Sequence, residues 1–106
     1  MEVPEIDIAE LERRQATGMP LIDVREPDEY TEAHVAGAIL IPLATLPEHL
    51  DDLPDGPLNV ICAAGGRSHK AAEFLIANGY DATNVAGGTN AWVESGRSYL
   101  TGEAPE

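Results

Sequence analysis

The sequence predicts an α/β fold, with a mostly parallel central sheet and helices on both of its faces. Short apolar runs alternate with helical stretches, which is the order expected of βαβ units. The runs are largely apolar instead of alternating with polar residues, as is typical of parallel strands covered on both faces. The four predicted strands cover residues 21–24, 38–41, 58–61 and 82–85.

Capping and helix-breaking residues mark the helices between these runs. Asp7 and Glu10 form a capping-box pattern that opens the first helix, and Gly18 ends it. Pro27 precedes two acidic residues and predicts a short acidic helical turn. The other predicted helices are a short one opened by Thr45 in a second capping-box pattern and ending before Pro54, one over residues 67–78, and one over residues 89–94.

Length and charge limit the classes of protein to consider. A chain of 106 residues is one domain long, so we expect a single domain over 1–106, with a core at about 7–96 and a polar C-terminal tail at 97–106. The net charge of −13 disfavours nucleic acid and anionic membranes as partners. The N-terminus lacks the regions of a signal peptide and no apolar run is long enough to span a bilayer, so we expect a cytoplasmic protein.

The cysteine and histidine content argues against disulfide and metal chemistry. Cys62 is the single cysteine of the chain and has no internal disulfide partner. The three histidines, His34, His49 and His69, are far apart and show no paired metal-ligand spacing. We therefore expect no zinc site.

The segment that follows Cys62 has the composition of an anion-binding loop. Cys62 ends a predicted strand, and the ligands of parallel sheets gather at the carboxyl ends of the strands. The residues at 63–66 are small, so the backbone can curl and point its N–H groups inward as a nest. The following helix adds the positive end of its dipole, and Arg67 adds a fixed cationic fork. Together these features predict a lowered pKa for Cys62, whose unperturbed value is about 8.5.

Each part of this segment also has an ordinary structural explanation. A lone cysteine at the end of a buried strand is usually an inert small apolar residue. A Gly-Gly turn before a helix is common, and Arg67 and Lys70 fit a solvated helix face. The combination of cysteine, nest, helix start and arginine at fixed spacing favours a functional site.

This loop and two further motifs resemble the rhodanese family of sulfurtransferases. The resemblance runs from about Asp7 to Gly96, and it departs from the family pattern where Ala33 precedes the signature histidine in place of the frequent glycine. The motifs are a six-residue loop from Cys62 to Arg67 followed by Ser68, an amino-terminal signature made of residues 23–26, 29–30, 34–38 and Pro42, and a carboxyl-terminal signature at residues 87–92.

The resemblance implies a role for each matching position. Cys62 would carry sulfur as a persulfide, and the donor would be thiosulfate or a similar small anion. The reaction would need no metal and no organic cofactor. The acceptor would be cyanide, a thiol or a protein, including a sulfur-relay protein. Arg67 would bind the donor, and the Asp23 and Arg25 pair would lie near the site or brace it. The backbone cradle would consist of Ala63, Ala64, Gly65, Gly66 and Arg67, with Ser68 beside it.

Two other functions remain open at this point. Phosphatases and arsenate reductases use a similar loop from Cys to Arg. Cysteine-dependent phosphatases place five residues between the two, and here only four intervene. The shorter ring suits a sulfur atom better than a tetrahedral oxyanion. The second alternative is a non-catalytic binding module, because rhodanese folds that lack the cysteine serve in that way.

Overall fold

The apolar runs form the strands of one parallel sheet. The computed structural model describes residues 2–106. The strands in that range are β1 (Glu5–Ile6), β2 (Leu21–Asp23), β3 (Ile39–Leu40), β4 (Leu58–Ile61) and β5 (Ala82–Val85). They lie in the order β1-β5-β4-β2-β3, and each neighbouring pair is parallel. The predicted α/β fold with a parallel sheet is confirmed.

The edge strand β1 is an addition to the four predicted strands. Its two residues lie between Pro4 and the cap residue Asp7. Two residues are too few to show the apolar pattern by which a strand is recognised in a sequence. Its pairing is fixed from outside, because the amide of Asn84 donates to the carbonyl of Pro4 and Glu5 lies opposite Asn84 in the register. This pairing brings Glu5 to the site described below.

The helices begin and end close to the predicted positions. Asp7 caps the first helix and accepts a hydrogen bond from the amide of Glu10, as its pattern predicts. No helix within residues 2–106 is long and apolar enough to cross a membrane. The helices of that range are α1 (Ile8–Ala16), α2 (Pro27–Glu32), α3 (Gly66–Ala77) and α4 (Gly88–Glu94), with a 3-10 helix over Leu43–Asp52.

The predicted helix cap at Thr45 is wrong. The 3-10 helix begins at Leu43, directly after Pro42, and Thr45 lies within its first turn. The amide of Leu43 donates to the carbonyl of Val24, which turns the chain into the helix before Thr45 is reached. The Thr45 hydroxyl donates back to the carbonyl of Pro42 and caps no amide.

An apolar core lies on each face of the sheet. Successive strand residues point to opposite faces. Ile22 and Val60 therefore lie in the core beside α3, and Leu21 and Ile61 lie in the core beside α1, α2 and α4. Burial on both faces explains why the strands read as continuous apolar runs, and it confirms the expected helices on both faces.

The segment 97–106 contains neither helix nor strand apart from one bridge, yet it is held to the domain. His34 and Leu100 exchange two backbone hydrogen bonds of 2.9 and 2.8 Å. The ring of His34 contacts the carbonyl of Ala104 through Nε2 at 2.8 Å, and the amide of Gly37 donates to the carbonyl of Pro105. These contacts lie on the α2 side of the molecule.

Candidate functional site

Cys62 is the residue that follows β4, at the carboxyl edge of the sheet. Its side chain lies in the core beside α3, and the residue is 1% exposed. The placement is the one expected from the sequence, since β4 is a central strand with β2 and β5 as neighbours. The loops that leave these strands meet at the same edge and surround the thiol.

The chain after Cys62 curls around the sulfur atom. Gly65 has a φ of 113°, a left-handed conformation that permits the tight turn. Its amide donates to Sγ of Cys62 over 3.1 Å, and the hydroxyl oxygen of Ser68 lies 3.3 Å from the same sulfur. The backbone amides of Ala64 and Ser68 also help to lower the pKa of Cys62. Of the amides in the predicted nest, that of Gly65 therefore contacts the sulfur directly.

Two opposing effects set the pKa of Cys62. Burial of the thiol raises its pKa because the charged form loses its hydration. Hydrogen bonds from the side chain of Ser68 and from the amides of Ser68, Gly65 and Ala64 favour the thiolate. The hydrogen bonds outweigh burial, so the pKa of Cys62 lies below its usual value.

Gly88 allows α4 to pack directly on this loop. A Cβ atom at Gly88 would lie 2.5 Å from the carbonyl oxygens of both Cys62 and Ala63, and the residue has a φ of 60°. The close approach lets the amides of Thr89 and Asn90 donate to those two carbonyls at 2.9 and 3.0 Å. With its carbonyls held by α4, the loop directs its later amides towards the sulfur.

Arg67 is bound to a carboxylate of the protein. Its guanidinium donates to both carboxylate oxygens of Glu29, at 2.7 and 2.9 Å. The hydrogen bond from Arg67 lowers the pKa of Glu29 to about 2, against a smaller rise from burial. Glu29 in turn keeps Arg67 charged by raising its pKa. The expected donor-binding arginine thus already has an anionic partner on α2.

Asp23 and Arg25 form a buried ion pair at the end of β2. Their side chains are 0% and 5% exposed, and Nη2 of Arg25 lies 2.8 Å from the carboxylate. Arg25 also donates to the carbonyls of Glu29 and Ala33, at the last turn of α2 and its end. The pair therefore connects the sheet to α2, and no direct contact with Cys62 is present among its hydrogen bonds in residues 2–106.

A chain of polar groups leads from Cys62 to the edge of the sheet. Ser68 lies between Cys62 and Asn84, whose Oδ1 is 2.5 Å from the Ser68 hydroxyl oxygen. Nδ2 of Asn84 donates to Glu5 at 2.8 Å and to the carbonyl of Gly65 at 3.2 Å. Sequence reasoning missed Asn84 and Glu5. The available signal was an amide side chain within the predicted strand at 82–85.

A cavity of about 310 Å³ opens beside the loop, between α2 and α4. Ala63 and Thr89 line it on the side of the loop, and Glu29, Glu32 and Glu94 are the carboxylates of its wall. A small ligand that approaches the loop from this side therefore passes these three carboxylates.

These features define an α/β protein with a buried thiol of lowered pKa, enclosed by an amide nest at the carboxyl edge of a parallel sheet. Residues 7–95 match the rhodanese-like domain family. The chain belongs to that family of sulfurtransferases.

Individual relatives agree with this assignment. A sulfurtransferase of Allochromatium vinosum is 32% identical over 98 residues, covering 89% of this chain and 92% of that protein. The crystal structure of a rhodanese-related protein from Thermoplasma volcanium is 36% identical, with a TM-score of 0.85 over 92% of this chain and 97% of that one. A human single-domain sulfurtransferase is 27% identical, with a TM-score of 0.79 over 88% of this chain and 97% of that one.

Proposed function

We propose that this protein is a sulfurtransferase that takes sulfane sulfur from thiosulfate or a similar small anion onto Cys62 as a persulfide. Cyanide, a thiol or a protein acceptor then removes the sulfur. The observation that carries the proposal is the buried position of Cys62, with the Gly65 amide 3.1 Å and the Ser68 hydroxyl oxygen 3.3 Å from its Sγ.

The reaction has two half-steps of a ping-pong kind. The thiolate of Cys62 bonds to the outer sulfur of thiosulfate, the sulfur–sulfur bond of the donor breaks, and its electron pair leaves with sulfite. The acceptor then bonds to the outer sulfur of the persulfide. The electron pair of the broken bond returns to Sγ, and the thiolate is restored.

The loop supports both half-steps electrostatically. In the first, its amides favour the thiolate that attacks. After transfer, the negative charge lies on the outer sulfur, and a nest of N–H groups suits a charge of that size. In this proposal Arg67 contacts the anionic donor, which requires its guanidinium to exchange one or both of its bonds with Glu29 for the donor.

Asp23 and Arg25 are assigned a bracing role. Their charges already satisfy each other, and Arg25 uses its remaining donors on the carbonyls of Glu29 and Ala33. A buried pair of this kind fixes the position of α2, which carries Glu29. Through Glu29 it also affects where Arg67 lies at rest.

Intact mass spectrometry tests the proposal. We expect incubation with thiosulfate to make the protein heavier by one sulfur atom, and cyanide or a reducing thiol to reverse the change. Cys62→Ser should show no added sulfur and no thiocyanate formation. Folded protein that gains no sulfur from thiosulfate or from other sulfane donors would instead favour a non-catalytic binding module.

A further inference from the structure

The hydroxyl of Ser68 faces two hydrogen-bond acceptors. Its oxygen lies 3.3 Å from Sγ of Cys62 and 2.5 Å from Oδ1 of Asn84. A serine hydroxyl carries a single hydrogen, so it donates to only one of these atoms at a time. All three residues are buried, at 0 to 1% exposure, so water does not readily replace the missing partner.

The orientation of the Asn84 amide follows from its other partners. The carboxylate of Glu5 and the carbonyl of Gly65 are acceptors, at 2.8 and 3.2 Å from the amide nitrogen. That nitrogen must therefore face them, and the amide oxygen must face Ser68. Ser68 is the donor in the short contact with Asn84.

The protonation state of Cys62 decides which way the hydroxyl hydrogen points. A protonated thiol donates weakly to the oxygen of Ser68, and the Ser68 hydroxyl donates to Oδ1 of Asn84. A thiolate only accepts, so the hydrogen turns to the sulfur and Asn84 loses its donor. An unpartnered buried acceptor is unfavourable, and this opposes formation of the thiolate.

We propose that Asn84 is a positioning residue that controls Cys62 through Ser68 by competing for the hydroxyl hydrogen. When Cys62 is a thiol, the Ser68 hydroxyl donates its hydrogen bond to Asn84. When Cys62 is a thiolate, the hydroxyl donates to the sulfur. When Sγ becomes bonded to an outer sulfur it is no longer anionic, and the hydrogen returns to Asn84. The last statement rests on the proposed persulfide chemistry, whereas the competition itself does not.

The two ion pairs around the loop keep both of their partners when Asn84 is replaced. Arg67 on α3 is paired with Glu29 on α2, and Asp23 is paired with Arg25 at the end of β2. Glu5 on β1 faces the amide of Asn84 and loses that partner when Asn84 is replaced. A carboxylate without this partner would disfavour a nearby thiolate and raise the pKa of Cys62, which is opposite to the change expected from the competition.

The test is the pH dependence of Cys62 alkylation by iodoacetamide, a neutral reagent that needs no sulfur donor. We expect Asn84→Ala to lower the apparent pKa of Cys62 and to speed alkylation below that pKa by roughly fivefold. Asn84→Val should act in the same direction, because valine also lacks an acceptor for the Ser68 hydrogen. As a β-branched residue it is suited to a strand if the alanine variant does not fold.

The Ser68→Ala background separates competition from a structural effect. If Asn84 acts through Ser68, Asn84→Ala should leave the alkylation profile of Ser68→Ala unchanged. Asn59→Ala is the matched control, because Asn59 is a buried strand amide bonded to Arg14 and away from Ser68. A raised pKa in Asn84→Ala, an effect that persists without Ser68, or an equal effect of Asn59→Ala would overturn the proposal. Failure of sulfur transfer alone would not affect these rates.

Discussion

Arg67 and Glu29 bind each other through two hydrogen bonds, of 2.7 and 2.9 Å, at the entrance of the Cys62 loop. The side chains are 39% and 32% exposed, so the pair is accessible to solvent and to small ions. Glu29 is also held by the amide of Glu26 at the start of α2. An anionic donor that uses Arg67 must compete with this carboxylate.

Releasing Arg67 from Glu29 should improve the use of an anionic donor. We expect Glu29→Gln to lower the KM for thiosulfate by about two- to fivefold, because a partly exposed ion pair contributes about 0.2–1 kcal/mol. Arg67→Ala should reduce kcat/KM for thiosulfate by roughly ten- to a hundredfold. Steady-state kinetics with thiosulfate as the varied substrate measure both effects.

Glu32→Gln is the control for these two variants. It removes the same charge from the same helix and cavity wall without touching Arg67. Equal KM values for Glu29→Gln and Glu32→Gln would mean that general electrostatics, and not release of Arg67, governs donor binding. Unchanged kinetics in Arg67→Ala would remove Arg67 from the donor site.

The Glu29–Arg67 pair should make stability depend on pH in the acid range. The pKa of Glu29 is lowered from 4.5 to about 2 by its hydrogen bond to Arg67. A lowered carboxyl pKa stabilises the folded state above the unfolded pKa, and this contribution is lost as the pH falls through the folded pKa. The loss should therefore begin near pH 4.5 and continue to about pH 2.

Urea unfolding at several pH values between about 6 and 3 checks this expectation. The difference in free energy of unfolding between wild type and Glu29→Gln should be constant above pH 4.5 and should shrink below it. The same comparison with Glu32→Gln should show a smaller dependence. A difference that grows as the pH falls would contradict the assigned direction of the pKa shift.

A side chain at Gly88 should disturb the loop in two ways, through the unfavourable positive φ and through a clash of the new Cβ atom with the loop. The Cβ atom of Gly88→Ala would lie 2.5 Å from the carbonyl oxygens of Cys62 and Ala63, so α4 and the loop must separate. Gly96→Ala is a matched control, because Gly96 has a φ of 84° with open space around the new atom.

Both variants incur the unfavourable positive φ, and only Gly88→Ala incurs the clash. We expect Gly88→Ala to lose about 1–3 kcal/mol of stability beyond the loss in Gly96→Ala, and to slow alkylation of Cys62 as the nest opens. Denaturant unfolding and the alkylation rate measure the two consequences. Equal losses of stability would show that the backbone absorbs the contact.

The length of the loop should select sulfur over phosphate. Inserting one glycine between Gly65 and Gly66 would place five residues between Cys62 and Arg67. The amides that converge on one sulfur would then spread, so we expect sulfur transfer to fall sharply. Weak phosphate or arsenate binding should appear because the nest and the start of α3 remain.

Paired assays of thiosulfate sulfurtransfer and aryl-phosphate hydrolysis on both proteins test this prediction. Efficient hydrolysis by the inserted variant is not expected, because the lowered pKa of Glu29, the carboxylate bound to Arg67, keeps it ionised and unable to protonate a leaving alcohol. Native protein that hydrolyses aryl phosphate well and ignores thiosulfate would make the loop-length argument wrong, and a phosphatase would become the better proposal.

The sequence was sufficient for features that depend on local pattern. Apolar runs separated by capped helices predicted the α/β fold, because burial on two faces and helix capping act over a few residues. The order of cysteine, small residues and arginine predicted the nest at Cys62 for the same reason. The predicted helix start at Thr45 was wrong, because the hydrogen bond from the amide of Leu43 to the distant carbonyl of Val24 outweighed the local capping pattern.

The tertiary structure alone decided which polar groups meet around that loop. Glu29 is 38 residues from Arg67, and Asn84 is 16 residues from Ser68. Glu5 reaches Asn84 from 79 residues away, through a strand of two residues. Such partners are set by the strand order and by the packing of α2 on the sheet. The sequence therefore determined that a loop of small residues follows Cys62 at the end of a buried strand. The fold determined which side chains compete for the hydrogen bonds of that loop and for its arginine.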